Sequence, residues 1–166
     1  MDSRAILAEI PRLRRYARAM LGDRAAADDL VQDTLERAWC RLAQWRVGSD
    51  LRAWLFSIMH NLHVDQLRRP SLPTHSLDDA GDDAPIRPMQ SDQLELLDLE
   101  AALSQLPDEQ RAVLLLVAVE EMSYAEVAAA LEIPLGTVMS RLSRGRERLR
   151  QIMEGRQPAA NLRVVR

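Results

Sequence analysis

Three features of the 166-residue chain predict an all-α protein, two small helical domains joined by a flexible acidic linker. Apolar residues recur at helical spacing throughout, and no stretch shows the alternation of a half-buried strand. Residues 70–91, PSLPTHSLDDAGDDAPIRPMQS, break that pattern with four prolines and with aspartates at 78, 79, 82 and 83, too little apolar surface to offset the entropy of ordering. The composition is 47% hydrophobic but only 4% aromatic, so the cores must be mostly Leu, Ala, Val, Ile and Met.

The first helix is expected over residues 3–21, with Ile6, Leu7, Ile10, Leu13, Ala17 and Leu21 inward. Pro11 must kink it or mark a fresh start. Gly22 and Asp23 end it, and Asp23 caps a second helix over 24–45 that buries Leu30, Val31, Leu35, Ala38 and Leu42. After the break RVGSD, Asp50 caps a third helix over 51–69, with Leu51, Leu55, Ile58, Met59 and Leu62 inward. These helices form a first domain over 1–69 and the linker covers 70–91; a second domain spans 92–155, followed by a tail over 156–166.

In the second domain Asp92 and Glu95 read as a capping box opening a helix to Gln105. Another helix begins near Pro107, with acid in its first turn as the helix dipole prefers. Ser123 and Glu126 form a second capping box before a short helix over 124–131. A turn and a longer helix over 136–153 complete a helix-turn-helix. Its apolar seam is Val127, Leu131, Val138, Leu142, Leu149 and Ile152, with Ala128 and Gly145 at close helix approaches.

The net charge of −3 conceals an uneven distribution. Residues 1–70 carry 12 basic and 9 acidic side chains, residues 71–95 carry 1 and 6, and residues 96–166 carry 9 and 10. All 22 basic residues are arginine, whose planar fork suits phosphate and guanine. On the last helix Arg141, Arg144 and Arg148 share a face opposite the apolar seam. A helix-turn-helix places the first turns of its second helix in the major groove, which turns Thr137, Met139, Ser140, Arg141, Ser143 and Arg144 toward DNA. Arg148, further along, suits phosphate or surface pairing.

Other chemistries find little support. No apolar run reaches the roughly 18–20 residues of a membrane span, and the first residues lack the continuous apolar core of a signal peptide, so a cytoplasmic protein without membrane insertion is expected. The lone Cys40 is expected to be a buried helix residue and excludes an internal disulfide or a Cys-based zinc site. His60, His63 and Asp65 lack the partners of a metal motif and read as exposed helical side chains; no cofactor and no enzymatic activity are expected.

The stretch LPDEQRAVLLLVAVEEMSYAEVAAALEIPLGTVMSRLSRGRERLR resembles region 4 of bacterial extracytoplasmic-function (ECF) sigma factors, group 4 of the sigma-70 superfamily. DDLVQDTLERAW resembles their region 2.2 helix and LRAWLFSIMHNLHVDQLRR their region 2.3–2.4 helix. The resemblance covers about residues 10–69 and 95–150, and its wording is close to proteobacterial members, the general-stress group among them. It implies a sigma factor directing core RNA polymerase to promoters in a stress or envelope response. The implied partners are the polymerase β′ clamp helices and β flap, promoter DNA and an anti-sigma factor.

By motif position, Asp29, Gln32 and Asp33 fall where region 2.2 meets the β′ coiled coil. The break QWRVGSD and the third helix fall where the family reads the −10 strand: Gly48 and Ser49 in a pocket-forming loop, Asn61 and Asp65 beside it, and Arg46, Arg52, Arg68 and Arg69 on phosphates. Trp54 is expected in the core. Glu132 stands where the family commonly has glycine, and Met139 and Ser143 where it often has larger or charged base readers. The acidity of the linker suits a path through a basic channel of polymerase. The rival reading is a helix-turn-helix repressor or activator that never touches polymerase, which needs a dimerisation or effector lobe within residues 1–70. The sequence leaves the placement of the two lobes in the free protein open.

Overall fold

A computed structural model describes residues 3–69 and 91–155. The linker expected over 70–91 falls, but for Ser91, outside the described residues, as does the tail from 156. Among the described residues the chain is helical, with α1 (Ser3–Leu21), α2 (Arg24–Cys40), α3 (Leu51–Arg68), α4 (Ser91–Ser104), α5 (Asp108–Ala118), α6 (Tyr124–Leu131) and α7 (Leu135–Gly155), and no strand.

Gly22, Asp23 and Asp50 act as the sequence indicates. Pro11 lies inside one α1, which runs on through it. Gly22 ends α1 at φ +69°, and its N–H donates to the Arg18 carbonyl. The Asp23 carboxylate accepts from the Ala25 N–H at 3.1 Å, and that of Asp50 from the Arg52 and Ala53 N–H groups at 3.0 and 3.3 Å. Both cap helices by satisfying amides that have no intrahelical acceptor. The second helix is shorter than periodicity suggested: it ends at Cys40, and Leu42–Gln44 form a single 3₁₀ turn. In α4, Asp92 lies within the first turn and not at the cap. Pro107 sits just before α5.

α1 packs on α2 and α2 on α3; in the second half α5 packs on α7 and α6 on α7. The halves do not stand apart. α3 lies against α6 and α1 against α5, and one apolar cluster runs through both, from Leu13, Tyr16 and Phe56 to Leu116, Val127 and Val138. Tyr16 and Phe56 meet edge to face, centroids 5.2 Å apart at 77°. Burial pushes the Tyr16 phenol well above its ordinary range.

Most inward positions are buried, but four expectations change. Leu7 is 59% exposed, because it falls off the α1 stripe of Ile6, Leu13, Ala17 and Met20. Cys40 is exposed at the end of α2 rather than buried. His63 is buried and His60 half-buried, where exposed histidines were expected, because α3 is covered by the second half of the chain. Trp54 is half-buried, packed on the edge of the core.

Candidate nucleic-acid interface

The helix-turn-helix is built as its sequence dictates. Ser123 Oγ accepts from the Glu126 N–H at 3.1 Å, and the Glu126 carboxylate accepts from the Ser123 N–H at 2.7 Å, a complete capping box. α6 ends at Glu132, φ +55° and ψ +46°, in the left-handed conformation that favours glycine. Its N–H donates to the Ala128 carbonyl. α7 then buries Val138, Leu142 and Gly145. A Cβ on Gly145 would lie 3.4 Å from Gln110 Cβ and its carbonyl oxygen, at ordinary contact distance, which marks where α7 rests on α5.

With that face inward, Met139, Ser140, Ser143, Arg144 and Arg148 are exposed, and Thr137 and Arg141 are half-buried. Arg144 and Arg148 have no side-chain hydrogen bond or ion pair among the described residues. Arg141 keeps a quarter of its side chain exposed and lies 3.6 Å from the Glu109 carboxylate. Arg150 is engaged locally: it donates to Glu147 at 3.2 and 2.6 Å and to Glu154 at 2.6 Å. These bonds hold the Glu147 carboxyl below its ordinary range.

On the first half, Asp29, Gln32 and Asp33 are all exposed on one face of α2, with Leu30, Val31 and Thr34 turned inward beneath them. The Thr34 hydroxyl donates to the Leu30 carbonyl at 2.7 Å, so this buried polar group is satisfied. The loop before α3 turns at Gly48, φ +95°, and the Ser49 hydroxyl donates to the Arg46 carbonyl at 2.7 Å. Asn61, Asp65, Arg46, Arg68 and Arg69 are exposed. Arg52 is not: 22% of its side chain is exposed, and it faces the second half of the molecule.

Sequence reasoning missed the residues that join the halves. Glu120, 1% exposed, accepts two hydrogen bonds from Arg15, at 3.0 and 2.9 Å. This pairing raises the Arg15 guanidinium above its ordinary value. Arg52 donates to the Glu120 carbonyl at 3.1 Å and lies 3.8 Å from the Glu126 carboxylate. Buried Arg111 donates to the carbonyls of Leu103, Ser104 and Leu106 at the end of α4, and to that of Met20 at the end of α1. His63 Nε2 lies 3.3 Å from Asp108 Oδ2. The available signal was acid and arginine set directly against apolar runs, at Arg111 and Glu120.

A capped helix-turn-helix with an outward arginine face, beside a helical half bearing a separate acidic face, is the arrangement of a helix-turn-helix protein with a cationic recognition face. Residues 96–149 match the family described as Sigma-70, region 4, and residues 6–60 that described as the Sigma2 domain of PhyR. The ECF RNA polymerase sigma factor EcfG of Rhodopseudomonas palustris is 37% identical over 149 residues, 89% of this chain and 82% of its own length. SigW of Bacillus subtilis is 32% identical over 146 residues, covering 80% of this chain and 78% of its own. The sigma factor RpoE of Bartonella quintana, solved in complex with the anti-sigma factor NepR, superposes with a TM-score of 0.73 at 32% identity, covering 91% of this chain and 95% of its own. The chain belongs to the ECF RNA polymerase sigma factor family. Among the described residues no helix is long and apolar enough to cross a membrane, and no group of three His, Cys, Asp or Glu side chains is placed to hold a metal.

Proposed function

We propose that this protein binds core RNA polymerase and directs it to specific promoters, in a stress or envelope response within the cytoplasm. Asp29, Gln32 and Asp33 are the polymerase-docking residues in this reading; their exposure above buried Leu30 and Val31 supports it. Thr137, Met139, Ser140, Arg141, Ser143, Arg144 and Arg148 meet the −35 duplex. Arg46, Gly48, Ser49, Arg52, Asn61, Asp65, Arg68 and Arg69 serve the opened −10 strand. The observation that carries the reading is the division of α7, whose buried Val138 and Leu142 hold an outward row in which Arg144 and Arg148 have no side-chain partner among the described residues.

Two lobes fixed side by side on polymerase need few contacts each, because the second engagement becomes intramolecular. That is how a chain of net charge −3 reads DNA at all. An anti-sigma factor fits a cleft of about 1030 Å³ between α1, α4 and α5. Its lining combines Met20, Leu96 and Leu99 with Arg14, Arg18 and Arg24, which suits an amphipathic helix with an acidic flank.

The test is transcription in vitro with core polymerase on a promoter library, comparing wild type with Arg141→Ala and Arg144→Ala. Loss of preference at one −35 position, about 1–3 kcal/mol, places the side chain on a base edge. Uniform weakening across all promoters moves it to the phosphate backbone. Absence of any polymerase-dependent transcript refutes the function and favours a helix-turn-helix regulator acting alone.

A further inference from the structure

The first turns of α7 carry an apolar pair on the surface of the molecule. Leu135 is 48% exposed and Met139 52% exposed. They stand four residues apart, so they are neighbours on one face of the helix. The polar side chains beside them are turned elsewhere. The Ser140 hydroxyl donates to the Thr137 carbonyl at 3.3 Å, back along its own helix. Arg141 is half-buried and lies 3.6 Å from the Glu109 carboxylate. Met139 also lines an open groove with Tyr124 of α6 and with Ser143 and Arg146 of its own helix. Further along α7 stand Arg144 and Arg148, exposed and without a side-chain partner among the described residues. A ligand that meets the start of this helix therefore meets apolar surface first, with free cations behind it.

We propose that Met139, with Leu135 one turn before it, reads the C5-methyl group of thymine in the −35 duplex. The inference rests on the placing of α7 in the major groove above. The unpaired guanidiniums fit a polyanion, and the apolar pair between them and the helix start fits an apolar atom within that polyanion. The major groove offers one. Every base pair presents donors and acceptors there, and among the four standard bases thymine alone adds a methyl group. Against the edge of guanine, adenine or cytosine, a thioether strips water from polar groups and returns no hydrogen bond. Against thymine it buries methyl on methyl, and the unbranched, polarizable Met side chain adjusts its shape to that contact. The helix thus divides its reading, apolar toward A·T pairs at its first turns and cationic toward guanine or phosphate at Arg144 and Arg148.

The full chain bound to core polymerase tests this on a promoter recovered from the library. Each −35 thymine, on either strand, is replaced singly by deoxyuridine, which removes the methyl group and keeps the pairing edge. At one or two positions the wild-type complex is expected to bind about threefold to tenfold more weakly, the effect of burying roughly one methyl group. Met139→Ala binds thymine and uracil alike at its position, and Met139→Leu restores the difference. Met139 is exposed, so the melting temperatures of both variants stay at the wild-type value. Arg144→Ala keeps the sensitivity to uracil. Equal binding of every uracil-substituted promoter by the wild type overturns the proposal, and so does full uracil sensitivity in both Met139→Ala and Leu135→Ala. In either case the −35 reading itself stands as long as base-pair changes in that element weaken binding. It falls, and this proposal with it, when none of them does.

Discussion

Arg111 and Arg144 are the same residue type in two regions of one molecule, and they do opposite things. Arg111 is buried where α1 and α4 end, and its guanidinium serves four backbone carbonyls. Those carbonyls sit at or just past helix C-termini, where intrahelical donors run out (the Leu103 carbonyl still accepts from the Leu106 N–H) and the dipole favours a cation. Arg144 stands on the outer face of α7 with no partner among the described residues. An arginine next to an apolar run is structural if acceptors converge on it and functional if they do not. Composition cannot separate the two, since all 22 basic residues are arginine.

The contrast is broken most forcefully at Arg111. Arg111→Met leaves several buried carbonyls unsatisfied and is expected to lower stability by about 3–5 kcal/mol in urea unfolding. Arg111→Lys recovers only part of that, because an ammonium cannot span a fork of acceptors. Arg144→Ala sharpens the contrast from the other side. It loses about 1–3 kcal/mol of promoter discrimination, and its melting temperature stays at the wild-type value.

Glu132→Gly relieves the left-handed turn at φ +55° and is expected to add about 1 kcal/mol of stability, read as a rise in melting temperature. The smallest effect is a pH dependence at His60. Burial lowers its affinity for a proton, helped by His63 and Arg141 and opposed by Glu132 and Glu109. A depressed folded value means that the neutral ring stabilises the fold fully above the ordinary value of 6.5, and that this is lost as pH falls. Melting temperatures between pH 7.5 and 5.5 should therefore fall less steeply in His60→Gln than in the wild type.

Local features were legible in the sequence. Asp23, Asp50 and the Ser123–Glu126 box mark helix starts through hydrogen bonds spanning two or three residues, and short-range chemistry of this kind is written in neighbouring letters. The division of α7 into a buried and an outward face followed from periodicity alone. Illegible were the burial of His63, the exposure of Cys40 and the seating of Arg52. Two of these depend on what a distant segment does: His63 meets Asp108, 45 residues away, and Arg52 meets Glu120, 68 residues away, whereas Cys40 is exposed where α2 stops.

The sequence by itself determined the helical class, the caps, the helix-turn-helix and which face of α7 turns outward, because each follows from contacts within a few residues. Only the tertiary structure decided that the two helical halves share one core, that Glu120 and Arg111 lock them together, and that Arg52 faces inward. Those outcomes come from pairing buried charge across long chain separations, and the energy of such a pair depends on distance and desolvation that no local pattern records.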